Sequence, residues 1–432
     1  MTNTIKQNLL NLIVFIIIFF TAINKIPRLI PFEDELIALT SHLNFLTDFR
    51  FDSPFESGVG VSSRITTGFN ASIGGAFAWL FTKSFFYTRL FNFIWFLLVA
   101  NLLKLYLYKK NFFKDVKTIL AINLSYLVIP WWYGALYGLG EMISTVIFFF
   151  AIIIFNYDKK LSFLLISISV FYGKFILIIS AGIFLIFNLK DAIKNYAYLV
   201  FPQIIWYLII IYNKGLNGFR EYFIDFYYFA SFHGLLNNSQ RKNQNIIGDL
   251  LNSEVMNWPV SIKIRVILLP ILLSIYLLIS KNYKTSVLNK IIVVQLPLII
   301  IINYLYFFLL SYKKYLRYSQ VTLIITILLL LILIDNNNHE GSKNKPIFLF
   351  NFLFSLFFSD ILLIVIFNIS IFFIVFKNKF STINFLLLFL ILNTVNINYE
   401  ILNDTLYNLN HPPCVDNIQS FECGDSFFTN KF

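Results

Sequence analysis

Asn11–Phe20 reads NLIVFIIIFF, and Thr322–Ile334 reads TLIITILLLLILI. Neither run alternates apolar with polar residues, so neither has the period of two that a membrane barrel strand needs. Similar runs recur through most of the chain, and about 20 such residues make a helix that crosses a bilayer. Of 432 residues, 58% are hydrophobic, 19% aromatic and only 13% charged. A soluble domain carries roughly a quarter charged residues. The expected fold is an all-α polytopic membrane protein, a single membrane domain over 1–432 with about eleven to twelve transmembrane helices. No small-residue cleavage site follows the first run, so a retained helix is expected there and not a signal peptide.

The runs divide the chain as follows, with boundaries good to about three residues. A first transmembrane helix covers 8–28. A long loop over 29–84 follows, rich in Gly, Ser and Thr (SPFESGVGVSSRITTGFNASIGG). It is too polar to span and too long to be a turn. Within it, Leu36, Ile37, Leu39, Leu43 and Leu46 recur at helical spacing, the pattern of an amphipathic helix lying on the membrane surface. Transmembrane helices fill 85–213, among them a run from Leu161 to Leu189 interrupted by FYGKF. That interruption is expected to join two short helices at Gly173–Lys174. A second long polar loop covers 214–262, further transmembrane helices occupy 263–398, and a polar tail follows over 399–432. Phe348 to Phe376 is either one overlong helix or a hairpin turning at Ser359–Asp360.

The net charge of +12 does not point to nucleic acid here, because basic residues orient and anchor membrane helices. YKKNFFKDVK (108–117), YDKK (157–160), KDAIKN (190–195) and KNYK (281–284) fall on one side if the N-terminus is cytoplasmic. Of the 22 Asp and Glu, only Asp115, Asp158, Asp191, Asp335 and Glu340 fall with them. Both long loops would then face outward. Cys414 and Cys423, the only cysteines, lack the four ligands of a structural zinc site. A disulfide between them would need the tail to face an oxidising compartment.

A charge at membrane depth is costly and usually marks a site. Glu33, Asp34 and Glu35 stand together in PFEDELIALTSHLNF (31–45). Acids there either favour the start of the following helix through its dipole or act as a general base or metal ligand at the membrane face. Glu141 ends WWYGALYGLGE (131–141), near the start of an otherwise uncharged span. Lys174 is the only charge between Lys160 and Lys190, at a break whose backbone needs a polar lining. In SYKKYLRYSQ (311–320), Lys313 and Arg317 are spaced i, i+4. On a helix they would point the same way, and such a pair suits a phosphate group. Arg220, Tyr222, Tyr227, Tyr228, His233, Arg241 and Lys242 in the second loop either stack on sugar rings or anchor the loop at the interface. His42 is read as an ordinary residue of the surface helix. There is no P-loop, GxGxxG or HExxH.

One helix, then a long external loop that opens with an acid pair and a surface helix, resembles the GT-C superfamily of membrane glycosyltransferases. The likeness is to the branch that holds protein O-mannosyltransferases and lipid A aminoarabinose transferases. Asp34-Glu35 matches that branch's early acid pair, and Glu141 after YGLG its later acid-led span. FYGKF at Lys174 resembles its TKG-like lysine, and KYLRYSQ its RYLLP-like stretch without the proline. The ordered resemblance covers about 31–320.

The resemblance implies inverting transfer of a sugar from a polyprenyl-phosphate donor to a glycan, lipid or protein acceptor. It places the site on the outer face of a bacterial cytoplasmic membrane. Asp34 would take the proton from the acceptor hydroxyl or position a divalent metal. Glu35 and Glu141 would help place the acceptor or that metal. Lys174, with Lys313 or Arg317, would hold the leaving phosphate, whose developing charge cations stabilise. No further cofactor and no nucleic acid are implied. Two other readings compete: an O-antigen polymerase or ligase, which places its key arginines in external loops, and a transporter or flippase. The last would show two related halves with matching broken helices.

Overall fold

The computed structural model of the chain describes residues 3–29, 33–49, 68–113, 115–232, 264–279, 287–307, 319–339, 345–358, 360–377 and 382–409. Among them there is no strand; all regular structure is helical. Two compact units form: Met1–Pro31, Lys104–Tyr133 and Thr326–Phe432 make the first, and Phe32–Leu103 with Gly134–Ile325 the second.

In the first unit, α1 (Asn3–Lys25) packs with α5 (Val116–Ser125) and α17 (Thr382–Leu409). The two ends of the chain are joined by polar side chains: Asn398 Nδ2 donates to Thr21 Oγ1 at 2.6 Å, and Asn24 Nδ2 to Asn398 Oδ1 at 3.1 Å. Thr118 donates to Asp335 Oδ1 at 2.7 Å. Lys104 is fully buried, hydrogen-bonded to Asn123 and set over the Tyr126 ring. Beyond α14 (Gln320–His339), α15 (Lys345–Ser355) and α16 (Ile361–Lys377) pack on each other. Asp360 Oδ1 accepts from the Leu362 N–H at 2.6 Å at the start of α16. The 348–376 run is therefore a hairpin.

The second unit holds α2 (Glu33–Asp48), α3 (Phe69–Thr82), most of α4 (Phe85–Lys109), α6 (Gly140–Ile154), α7 (Lys159–Phe171), α8 (Ile178–Phe187), α9 (Leu189–Lys194) and α10 (Tyr196–Phe232). After these come α11 (Leu269–Ile279), α12 (Val287–Lys290) and α13 (Leu296–Leu305). Helix packing runs from α2 to α3, α3 to α6, α6 to α7 and α7 to α10, and α13 packs against both α8 and α11. Asp158 caps α7 by accepting from the Leu161 N–H at 3.0 Å, a short polar acceptor meeting an orphan donor of the first turn. Ile264–Leu268 and Ile291–Gln295 are π-helical, and each lies just before a proline, Pro270 or Pro297. A proline has no N–H and crowds the carbonyl four residues back, so the ladder shifts register there.

Among the described residues, three helices are long and apolar enough to cross a membrane: Leu9–Arg28, Phe85–Lys109 and Thr382–Ile401. Eight shorter apolar helices accompany them among the described residues. On α17, Leu388, Leu392, Val395 and Tyr399 form an exposed stripe, and on α16 so do Leu362, Val365, Ile369 and Phe373. Exposed apolar stripes at helical spacing suit contact with lipid. By contrast, α6 is buried at every position from Gly140 to Ile154.

Three segments differ from the sequence expectation. The 29–84 loop contains α3, an apolar helix against which α2 packs. As a result α2 does not lie with one face on lipid: Glu35, Leu36 and every residue from Ala38 to Leu43 are buried, which covers all sides of two turns. Helix α10 runs past the expected boundary at 213 to Phe232, bending at Gly215, whose φ of 69° and ψ of −172° suit glycine alone.

Candidate functional site

The acid triplet opens α2. Glu33 starts the helix, and its side chain lies outside the described residues. Asp34 is half-buried, whereas Glu35 is 1% exposed. The Glu35 carboxylate takes two parallel hydrogen bonds from Arg89, Nε to Oε1 and Nη2 to Oε2, both at 2.8 Å. The Arg89 guanidinium lies over the rings of Phe85 at 5.4 Å and Tyr137 at 5.3 Å. A forked, ring-covered pair of this kind fixes geometry as well as charge. Arg89 thus holds the start of α2 against α4 and the Tyr137 turn. Its signal in the sequence is plain: Arg89 is the only charge from Phe85 to Leu103.

One turn along α4, Asn92 continues the same face. Its Oδ1 accepts from the Gly75 N–H at 2.8 Å, and its Nδ2 donates to the Leu136 carbonyl at 3.1 Å. Gly138 has a φ of 68°, and a Cβ there would stand 2.7 Å from Asn92 Nδ2. Only glycine lets this turn dock and hand the chain on to α6. His42, fully buried on α2, is hydrogen-bonded through Nδ1 to the Ser72 hydroxyl of α3 and so ties the two helices together.

The break inside Leu161–Leu189 is where the spacing puts it. Helix α7 ends at Phe171, a 3-10 turn covers Phe175–Leu177, and α8 starts at Ile178. The hairpin is closed at its base by Lys159 Nζ and Asp191 Oδ1 at 2.8 Å, two residues that the charge pattern puts on one side. Thirteen residues of α7 rise only about 20 Å at 1.5 Å each, against about 30 Å of hydrocarbon. With its base at one interface, such a hairpin would end short of the other.

Glu141 and Lys174 meet at that tip. Lys174 Nζ stands 3.0 Å from Glu141 Oε1, with the side chains 9% and 2% exposed. The approach is a contact of charges at an angle unsuited to hydrogen bonding: neither Glu141 oxygen has a hydrogen-bond partner among the described residues. The start of α3 reaches the same point. The Asn70 N–H donates to the Tyr172 carbonyl at 2.7 Å, and the Asn70 carbonyl accepts from Trp95 Nε1 at 2.7 Å. A Cβ on Gly173 would collide with the Ser144 side chain, and one on Gly140 would stand 3.1 Å from the Gly173 carbonyl oxygen. Close to this tip, the side-chain amide of Asn70 and the hydroxyl of Ser144 are buried with no hydrogen-bond partner.

Aromatic rings flank the tip on the α10 side. Phe45 meets Phe69 (4.8 Å), Phe69 meets Tyr172 (6.3 Å), and Tyr172 meets Trp206 (5.1 Å). Tyr172 also donates its hydroxyl to the Pro202 carbonyl at 2.8 Å.

Of the residues expected from sequence, the structure pairs Glu141 with Lys174 and ties Glu35 to Arg89, all within the second unit. Lys313 and Arg317 lie outside the described residues, as do His233, Arg241, Lys242, Cys414 and Cys423. Among the described residues, no three His, Cys, Asp or Glu side chains are grouped to hold a metal ion. Arg89, Asn70 and Ser144 are additions that sequence reading did not single out. No family model, curated protein or solved structure matches this chain.

Proposed function

We propose that the chain is a membrane glycosyltransferase that moves a sugar from a polyprenyl-phosphate donor to an acceptor hydroxyl on the outer face, with inversion. The observation that carries this reading is the division of roles at the start of α2. Glu35 is committed to Arg89 in a buried fork, while Asp34, one residue earlier, is only partly buried. A rigid mount with a reactive group beside it is what general-base catalysis needs.

In this reading the acceptor oxygen attacks the anomeric carbon from the face opposite the phosphate. Asp34 takes the hydroxyl proton. The bond from the anomeric carbon to the phosphate oxygen breaks, and the lipid phosphate leaves with the electron pair. Lys174, with Lys313 or Arg317 added on sequence grounds, stabilises that charge. A divalent metal shared by Asp34 and Glu141 fits this arrangement poorly, since Glu141 already faces the Lys174 ammonium. No step is written through a metal.

The test is transfer by the purified full chain, given radiolabelled polyprenyl-phosphate sugars and a membrane extract. Label in a glycan, lipid or protein fraction supports the reading and names the acceptor. Absence of transfer with every donor refutes it. Asp34→Asn should lower the rate by on the order of 10²- to 10⁴-fold, while an O-antigen polymerase or ligase would tolerate that change.

A further inference from the structure

Glu141 is a buried charge of the second unit that is poorly satisfied among the described residues. It is 2% exposed, with one angled contact to Lys174 and no hydrogen bond to either oxygen among the described residues. A buried carboxylate whose only counter-charge leaves is strongly destabilised. Yet Lys174 is the cation that the transferase reading sends to the donor phosphate.

Two donors stand near the Glu141–Lys174 contact without partners of their own. Ser144 is fully buried and follows Glu141 by three residues on α6, the spacing that sets side chains on one face. Asn70 is 9% exposed, and neither its Oδ1 nor its Nδ2 is bonded. The Asn70 backbone is tied to Tyr172, and a Cβ on Gly173 would strike Ser144. Both groups therefore border the segment that carries Lys174. Unbonded buried donors are rare and call for an explanation.

We propose that Asn70 and Ser144 form a second seat for the Glu141 carboxylate. When a phosphate monoester or diester arrives, the Lys174 ammonium exchanges Glu141 for the phosphate, and Glu141 turns to the Asn70 amide and the Ser144 hydroxyl. In the ligand-free chain, Glu141 holds Lys174 against the hairpin tip and competes with phosphate for it. The exchange rests on the transferase reading only for its choice of phosphate as ligand. No covalent bond changes.

The experiment measures binding of farnesyl phosphate to the full chain in lipid nanodiscs, without a sugar acceptor. Glu141→Gln removes the competitor and should tighten binding on the order of tenfold. Lys174→Met should abolish binding. The double change Asn70→Ala with Ser144→Ala should weaken binding, and that loss should vanish when Glu141→Gln is added, because no carboxylate then needs housing. Weaker binding by Glu141→Gln overturns the exchange, as does a loss from the double change that persists beside Glu141→Gln. The latter outcome would make Asn70 and Ser144 direct ligands.

The unaltered chain gives a readout that needs no variant to fold. Farnesyl phosphate should shift a carboxylate stretch in the infrared difference spectrum, and an unchanged carboxylate region overturns the exchange. If the exchange is seen but no sugar is ever transferred, the transferase reading fails alone. If transfer occurs while Glu141→Gln weakens phosphate binding, the exchange fails alone.

Discussion

At the scale of single residues, neighbouring acids with the same charge do different work because their surroundings differ. Glu35 is enclosed and forked onto Arg89, so its loss removes half of a buried pair. Glu35→Gln or Arg89→Met alone should cost about 3–5 kcal/mol, since each strands a buried charge or its partner. Chemical denaturation of the purified protein checks this, and the double change should cost less than the sum of the two. Asp34→Asn should move the denaturation midpoint far less than either of these while removing transfer. The meeting of Glu141 and Lys174 was legible because each is a lone charge in an apolar setting. Arg89 carries the same signal. An arginine near a helix start also reads as an ordinary membrane anchor, and only the fold places it against Glu35.

At the scale of elements, the broken hairpin was legible and α3 was not. A glycine and a lysine inside a long apolar run leave few alternatives to two short helices. The stretch around α3 is rich in Gly and Ser, which in sequence signals loop. Here those small residues let helices approach: a Cβ on Gly74 would lie 2.9 Å from Trp95 Cβ, and one on Gly75 would meet Asn92. Missing α3 also misplaced α2, since a helix with no visible protein partner is assigned to the membrane surface. Gly215 offers a clean test of backbone geometry. A Cβ there would meet nothing within 4 Å, so Gly215→Ala isolates the φ penalty, about 1–2 kcal/mol. Hydrogen exchange over 216–232 should quicken in Gly215→Ala, whereas adding a methyl in an ordinary helix would slow it.

At the scale of the molecule, the charge pattern and the exposed stripes both bear on how the chain sits in a bilayer. Lys159 and Asp191 are paired, as a common side for YDKK and KDAIKN requires. With Cys414 and Cys423 replaced by serine, single cysteines at Lys110, Lys159 and Lys194 should react with a membrane-impermeant thiol reagent only from the cytoplasmic side. Labelling of any of them in intact cells would reverse the orientation. On α17, Val395→Arg would put a charge on the exposed stripe and should hinder insertion by about 2.5–3.5 kcal/mol, read out as the membrane-integrated fraction. The overall helical class was legible from run length alone. The number of full spans was not, because several apolar helices are too short to cross and are enclosed by their neighbours, which composition does not reveal.

The bond between Thr21 and Asn398 has a consequence in time. The two residues are 377 positions apart, so at 5–20 residues per second the ribosome needs roughly 20–75 s to deliver the second after the first. During that interval α1 is already in the bilayer, with Thr21 and Asn24 lacking their eventual partner. Helix α5 emerges much earlier and also packs on α1, which makes it the natural holding partner. Assembly of the first unit is then a two-step event, α1 with α5 first and closure by α17 last. Chains arrested before α17 should expose Thr21 to degradation by membrane proteases, while full-length chains are protected.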